Sequence, residues 1–276
     1  MSDPFCYIFV ALPCEAKPLI EHFKLKKDLS TTAFGIYRNN NFTVTVTVTV
    51  TGIGKSAMAA GVAYCLALFP SPALPVLLNI GIAGHGMHAL GSVFSADKIV
   101  DQDSGRSYYP QLVATPPCST LTVTTVSRPQ SDYPSASLYE MEAAAFYETA
   151  MRFSSSELIQ CIKVISDNKL NHTGQIKAAQ VSLWIQSALP MIEEYNQQLR
   201  QLALLDKQVK ESYFDEVAAQ WRFSSNEKLQ LKKLLNKRAI LMPQKALDLA
   251  VFSPGSGKVV LNHLRKEIDE QVFGGF

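Results

Sequence analysis

Between Thr43 and Thr51 the chain alternates threonine and valine without a break, then turns on Gly52-Ile53-Gly54. A period of two is strand periodicity. Val44, Val46, Val48 and Val50 share one face, and Thr43, Thr45, Thr47, Thr49 and Thr51 share the other. The pattern predicts a strand over 42–51 with one face buried. Another strand is predicted over 33–38, and Asn39-Asn40-Asn41 between them has hairpin turn chemistry. The apolar runs 5–12 and 157–167 read as buried strands. PVLLNIG at 75–81 has the continuous apolar character of a central parallel strand. Further strands are predicted over 92–100 and 119–126.

Helices are predicted over 15–25, 55–69, 142–153 and 176–204. Pro18 is tolerable in the first of these only within its first turn. Strands that alternate with helices define an α/β sandwich around a mostly parallel or mixed sheet. After about residue 205 the strand signals stop. Ser224-x-x-Glu227 is a capping box opening LQLKKLLNKR, and 243–252 and 257–272 read as two more helices separated by Ser-Pro-Gly-Ser-Gly. The expected organisation is one domain over 1–204 and a helical extension over 205–276.

Composition narrows the function classes. Hydrophobic residues make up 47% of the 276 residues and charged residues 18%, which describes a globular chain. The net charge of +2 gives no reason to expect nucleic acid or a membrane surface as a partner. No apolar stretch is long enough to span a bilayer. The five cysteines (Cys6, Cys14, Cys65, Cys118, Cys161) show no ligand spacing and read as free thiols in a reducing compartment. Asp3 stands ahead of the first apolar run where a signal peptide carries Lys or Arg, so that run reads as a strand. A cytoplasmic protein is expected.

The turn Gly52-Ile53-Gly54-Lys55-Ser56 suggests a phosphate-binding loop, but the count fails. A Walker A loop places its first glycine where this chain has Thr49. Gly255-Ser256-Gly257-Lys258 carries Val259 in place of the magnesium-binding hydroxyl. The glycines therefore read as a strand-to-helix turn through which backbone approaches a ligand closely. His85 and His88 have no carboxylate or cysteine at ligand spacing, so no metal is expected. No base partner for Cys14 is evident. Lys232, Lys233, Lys237 and Arg238 read as a solvated helix face.

Four motifs in order carry a more specific signal: ALPCEAKPLI (11–20), TGIGKSAMAAG (51–61), NIGIAGHG (79–86), and the pair YEMEAAAF (139–146) with VISDN (164–168). Together, over about residues 5–200, they resemble the purine nucleoside phosphorylase/uridine phosphorylase superfamily. The nearest likeness is to its methylthioadenosine/S-adenosylhomocysteine nucleosidase branch. The resemblance implies a three-layer α/β/α sandwich, a homodimer or higher homo-oligomer, a nucleoside as small-molecule substrate and no cofactor. It implies that Asp167 protonates the leaving base, that Glu15 activates water, and that Glu142 grips the ribose hydroxyls with Met141 beside the sugar. Ile53 would line the pocket for the 5′ substituent, Ala83 and Gly84 the turn beside the sugar, and Ser166 the substrate site next to Asp167.

The chemistry fits these residue types. Breaking an N-glycosidic bond needs a proton for the base, stabilisation of an oxocarbenium-like sugar, and a base for water on the opposite face. Carboxyl groups serve all three tasks when their surroundings differ.

The chain departs from the family pattern in three places. Ile82 stands where the family has a serine, and Asn79 where phosphorylases carry an arginine, which favours hydrolysis over phosphorolysis. The span between Val100 and Glu142 is short, and Tyr108, Tyr109 and Tyr133 all remain candidates to stack on a base. The extension after 205 lies outside the compact pattern. The expected activity is hydrolysis of a 5′-modified adenine nucleoside, such as methylthioadenosine, S-adenosylhomocysteine or 5′-deoxyadenosine. A phosphate-dependent phosphorylase and a non-catalytic nucleoside-binding or partner protein stay open as alternatives.

Overall fold

The computed structural model describes residues 4–39, 45–172, 174, 176–210, 213–242, 245–252 and 255–273. The chain divides into two compact units, Met1–Ala203 and Leu204–Phe276. No helix among the described residues is long and apolar enough to cross a membrane.

The first unit is built on β1 (Cys6–Val10), β2 (Lys26–Lys27), β3 (Gly35–Arg38), β4 (Val46–Val50), β5 (Val76–Gly84), β6 (Val93–Asp101), β7 (Ser107–Tyr108), β8 (Thr120–Thr125), β9 (Leu138–Glu140) and β10 (Ile159–Asp167). Its helices are α1 (Pro13–His22), α2 (Lys55–Leu68), α3 (Ala143–Ala150) and the start of α4 (Ala178–Lys210). Among the described residues the strands form one mixed sheet. One wing is open: β1 runs parallel to β4, which pairs antiparallel with β3. The other wing closes on itself. β5 pairs with β10, β10 with β6, β6 with β8, β8 with β9, and β9 returns to β5 through Gly84 and Tyr139. β5 belongs to both wings.

The long apolar runs are explained by burial on both faces. Cys6, Ile8 and Val10 of β1, with Val76, Leu78 and Ile80 of β5, face Leu19 of α1 and Val181, Ile185 and Ile192 of α4. Tyr7, Phe9 and Leu77 face Met58 and Val62 of α2 and Ala143 and Phe146 of α3. Helices on both sides of a sheet make this a three-layer α/β/α sandwich.

Two expectations for this unit are corrected. The threonine–valine strand is not half-buried: Thr47 and Thr49 are as inaccessible as Val46 and Val48. The threonines sit in register with Tyr7 and Phe9 of β1, on the side that α2 covers. Alternation here separates two buried layers. Residues 42–44 of the expected strand and Asn40-Asn41 of its turn lie outside the described residues.

Pro18 is the second correction, for it lies inside α1 and not in the first turn. A proline there gives the carbonyl of Cys14 no amide partner. The hydroxyl of Ser182 on α4 donates to that oxygen instead, at 2.7 Å.

The second unit holds α5 (Phe214–Gln220), α6 (Ser225–Leu241) and α7 (Gly257–Phe273), packed through Val217, Leu231, Leu235, Val260, Leu261 and Leu264. The capping box is formed: Ser224 Oγ accepts from the Glu227 amide at 3.3 Å, and Glu227 accepts from the Ser224 amide at 2.8 Å. The helix expected over 243–252 is replaced, among its described residues, by a 3-10 turn at Leu249–Phe252. Asp248 Oδ1 accepts from the Ala250 amide at 3.0 Å, a side-chain cap that competes with helix. Residues 243 and 244 of that helix, and Ser253-Pro254 of the expected separator, lie outside the described residues. Arg238 does not belong to a solvated face. It is buried, bonded to both oxygens of Glu267 and to the carbonyls of Lys245 and Ala246.

Candidate active site

Three chain segments deliver four acidic groups to the C-terminal ends of strands, where open α/β sheets bind ligands. Glu15 is the third residue of α1, just after β1. Its Oε2 turns back to accept the amides of Leu12 at 2.8 Å and Ala11 at 2.9 Å, which satisfies donors at the helix start. Its Oε1 accepts the amide of Ile82 at 2.9 Å. A Cβ on Gly81 would stand 2.9 Å from that same oxygen, so the bare backbone of β5 lets the carboxylate approach. Burial pushes the Glu15 pKa up, while the three amides and the charge of Lys163 oppose it.

Glu142 caps α3. Its Oε1 accepts the amide of Gly54 at 2.7 Å. Gly52 and Gly54 have φ of 89° and 99°, backbone that a side chain would strain. The Gly-Ile-Gly turn thus aims an amide at a carboxylate 88 residues away. Lys55 instead reaches Asp101 at 2.8 Å. The Glu142 pKa is pushed up to about 7, first by burial and then by the negative charge of Glu140; Lys163 pulls the other way.

Glu140, at the end of β9, accepts from Thr125 Oγ1 at 2.6 Å and from the amides of Glu142 at 3.0 Å and Ala143 at 2.8 Å. It also pairs with Lys163 of β10 at 2.9 Å. Burial alone would lower the Lys163 pKa, but the charges of Glu140 and Glu142 outweigh it and the ammonium is held on the raised side.

Asp167 ends β10. Ser166 Oγ donates to its Oδ1 at 2.5 Å, and the Tyr133 hydroxyl bonds to its Oδ2. A Cβ on Gly84 would lie 2.7 Å from Oδ2, so this acid too leans on glycine backbone. His85 Nδ1 accepts the amides of Met87 and His88, each at 3.1 Å, which closes its own turn. Burial raises the Cys14 pKa and keeps the sulfur a thiol.

Glu15, Glu140, Glu142 and Asp167 surround one cavity of about 200 Å³. Every residue to which the resemblance gives a site role lines it: Glu15, Ile53, Ala83, Gly84, Met141, Glu142, Ser166 and Asp167. Of the three candidate tyrosines, Tyr133 touches the acid. Tyr108 bonds Glu148 at 3.0 Å, and Tyr109 is largely exposed beside Lys98. Glu140 also lines the cavity, and neither it nor Lys163 was singled out. Their signal was there: a lone lysine in the apolar strand IQCIKVISD needs a buried counter-ion. Among the described lining residues four carry carboxyl groups and none is Lys, Arg or His. Such a lining offers an anion no charged partner.

The closed wing and the open wing share the fold of the methylthioadenosine/S-adenosylhomocysteine nucleosidases. The structure is similar to that of 5′-methylthioadenosine nucleosidase from Arabidopsis thaliana, with a TM-score of 0.60 at 13% identity over 72% of this chain and 97% of that one. It is similar to 5′-methylthioadenosine/S-adenosylhomocysteine nucleosidase from Helicobacter pylori with butyl-thio-DADMe-Immucillin-A, with a TM-score of 0.58, 13% identity and coverage of 70% and 97%. It is also similar to futalosine hydrolase of Helicobacter pylori, with a TM-score of 0.58, 14% identity and the same coverage. No family model and no curated protein sequence matches the chain.

Proposed function

We propose that the protein hydrolyses the N-glycosidic bond of a 5′-modified adenine nucleoside and releases the free base. The observation that carries this reading is the convergence of Glu15, Glu142 and Asp167 on one cavity, each with different hydrogen-bond partners. Asp167 hands a proton to the departing base. Glu142 holds the ribose hydroxyls with charge-assisted hydrogen bonds, fixed in place by the Gly54 amide. Glu15, anchored by three amides, orients and deprotonates the attacking water. The excess of carboxylates stabilises the positive charge that develops on the sugar.

The same electrostatics favour water over phosphate as the nucleophile. A phosphate ion needs donors and positive charge, and Ile82 offers the cavity a hydrocarbon side chain. Leu12, Ile53 and Ile176 supply apolar lining suited to a thioether or deoxy 5′ group. A cytoplasmic homodimer is the form such an enzyme would take, and light scattering checks its mass.

The test is chromatographic detection of free base from a panel of nucleosides, each incubated with and without phosphate. Adenine release that is indifferent to phosphate is the expected result. Phosphate-dependent release, or none from any nucleoside, overturns the proposal.

A further inference from the structure

Tyr133 combines three unusual features. Its φ is 44°, left-handed backbone that is rare for an aromatic residue. Its side chain is buried, and it packs with Val126, Tyr139 and Met141, all of which line the cavity. Its hydroxyl bonds to Oδ2 of Asp167.

Glycine makes room for it. A Cβ on Gly84 would sit 2.6 Å from Tyr133 Cε1 and 2.8 Å from its hydroxyl, as well as against Asp167. A Cβ on Gly86 would lie 3.3 Å from the Cβ of Tyr133. The phenol edge and the carboxyl therefore meet over the bare backbone of Gly84. The adjoining cavity, about 200 Å³, falls below the roughly 300–1,000 Å³ usual for small-molecule sites.

We propose that Tyr133 fills the seat of the leaving base, and that a planar heteroaromatic base binds by displacing it. This rests on the reading of Asp167 as the acid that protonates the base. A base protonated on a ring nitrogen leaves as an aromatic edge that presents one N–H to Asp167. The phenol presents one O–H from an aromatic edge to the same carboxyl. Tyr133 thus imitates the product, and its return after cleavage competes the product out. The positive φ leaves the loop a more relaxed state to enter when the ring swings away.

The experiment is calorimetric titration of free adenine into the wild type, Tyr133→Phe and Tyr133→Ala, with nucleoside cleavage assayed on the same preparations. Tyr133→Phe keeps the ring but loses the hydroxyl. Removing that hydrogen bond to the acid tightens adenine binding about tenfold. Tyr133→Ala tightens it further, because the seat is empty. Should the alanine variant fail to fold, the phenylalanine variant decides alone. Adenine binding that is unchanged or weaker in the variants, or absent in all three proteins, overturns the proposal. Tighter binding in variants of a protein that cleaves no nucleoside supports the base seat and overturns only the hydrolase reading.

Discussion

Lys163 and Glu140 form an ion pair at 2.9 Å with both side chains 1% exposed. It lies beside a cavity lined by three further carboxyl groups. A buried pair of this kind is weak evidence of added stability, but breaking it leaves a charge with no solvent and no partner. Lys163→Met is expected to destabilise the protein by about 3–5 kcal/mol in denaturant titrations. Glu140→Gln in the same chain removes the orphaned charge and recovers part of that loss. A double variant no more stable than Lys163→Met would show that the pair is not what holds β9 to β10.

The raised pKa of Glu142 predicts a fold that is less stable at neutral pH. Its pKa rises from 4.5 to about 7 on folding, so the folded state binds the proton more tightly. Stability is intact below about pH 4.5 and falls as the pH rises through 7. At about 1.4 kcal/mol per pH unit the loss reaches up to about 3 kcal/mol. Glu142→Gln keeps an oxygen for the Gly54 amide and is expected to melt above the wild type at pH 8. The difference should vanish near pH 4.5. Equal melting temperatures at pH 8 would contradict the raised pKa.

The same carboxyl shapes the activity profile. In its proposed role Glu142 must be ionised to grip the ribose, so kcat/KM for nucleoside cleavage should rise through a midpoint near 7. Glu140→Gln removes the neighbouring negative charge that helps raise that pKa, and the limb should move to lower pH. A limb that stays in place would remove Glu142 from the profile.

Asp167→Asn keeps the shape of the side chain and loses the transferable proton. Base release is expected to fall by a factor of about 10²–10⁴, the usual contribution of a general acid. The melting temperature should stay close to that of the wild type. Full activity in this variant would assign the proton to another group.

Ser182 compensates for a proline. Ser182→Ala leaves the Cys14 carbonyl without a donor, and a cost of about 1–3 kcal/mol is expected. Glu15 follows Cys14 directly, so KM or kcat should shift along with stability. A neutral substitution would mean that water replaces the hydroxyl.

Much of the layer order could be read directly, because strands buried on both faces and strands beside glycine turns leave distinct patterns. Asp167 is legible as an acid closing a long apolar strand, and all three acids through the motifs around them. What stayed hidden depends on contacts between distant segments. Thr47 and Thr49 look solvent-facing until α2 is laid over them. Pro18 looks like a helix boundary until Ser182, 168 residues from Cys14, supplies the missing donor. Lys163 announces a buried cation, but naming Glu140 as its partner requires knowing that β9 and β10 flank β5. Tyr133 reaches Asp167 only because Gly84 and Gly86 clear its path, which no local pattern encodes.

Glu15 follows β1, Glu142 follows β9 and Asp167 ends β10, and each of these strands is hydrogen-bonded directly to β5. β5 contributes no acid of its own, yet it acts as the common ruler against which all three are measured. A slip of one residue in its pairing would misalign every acid at once. Chemistry scattered from Glu15 to Asp167 is therefore gauged by the single segment VLLNIGIAG, whose glycines are the graduations.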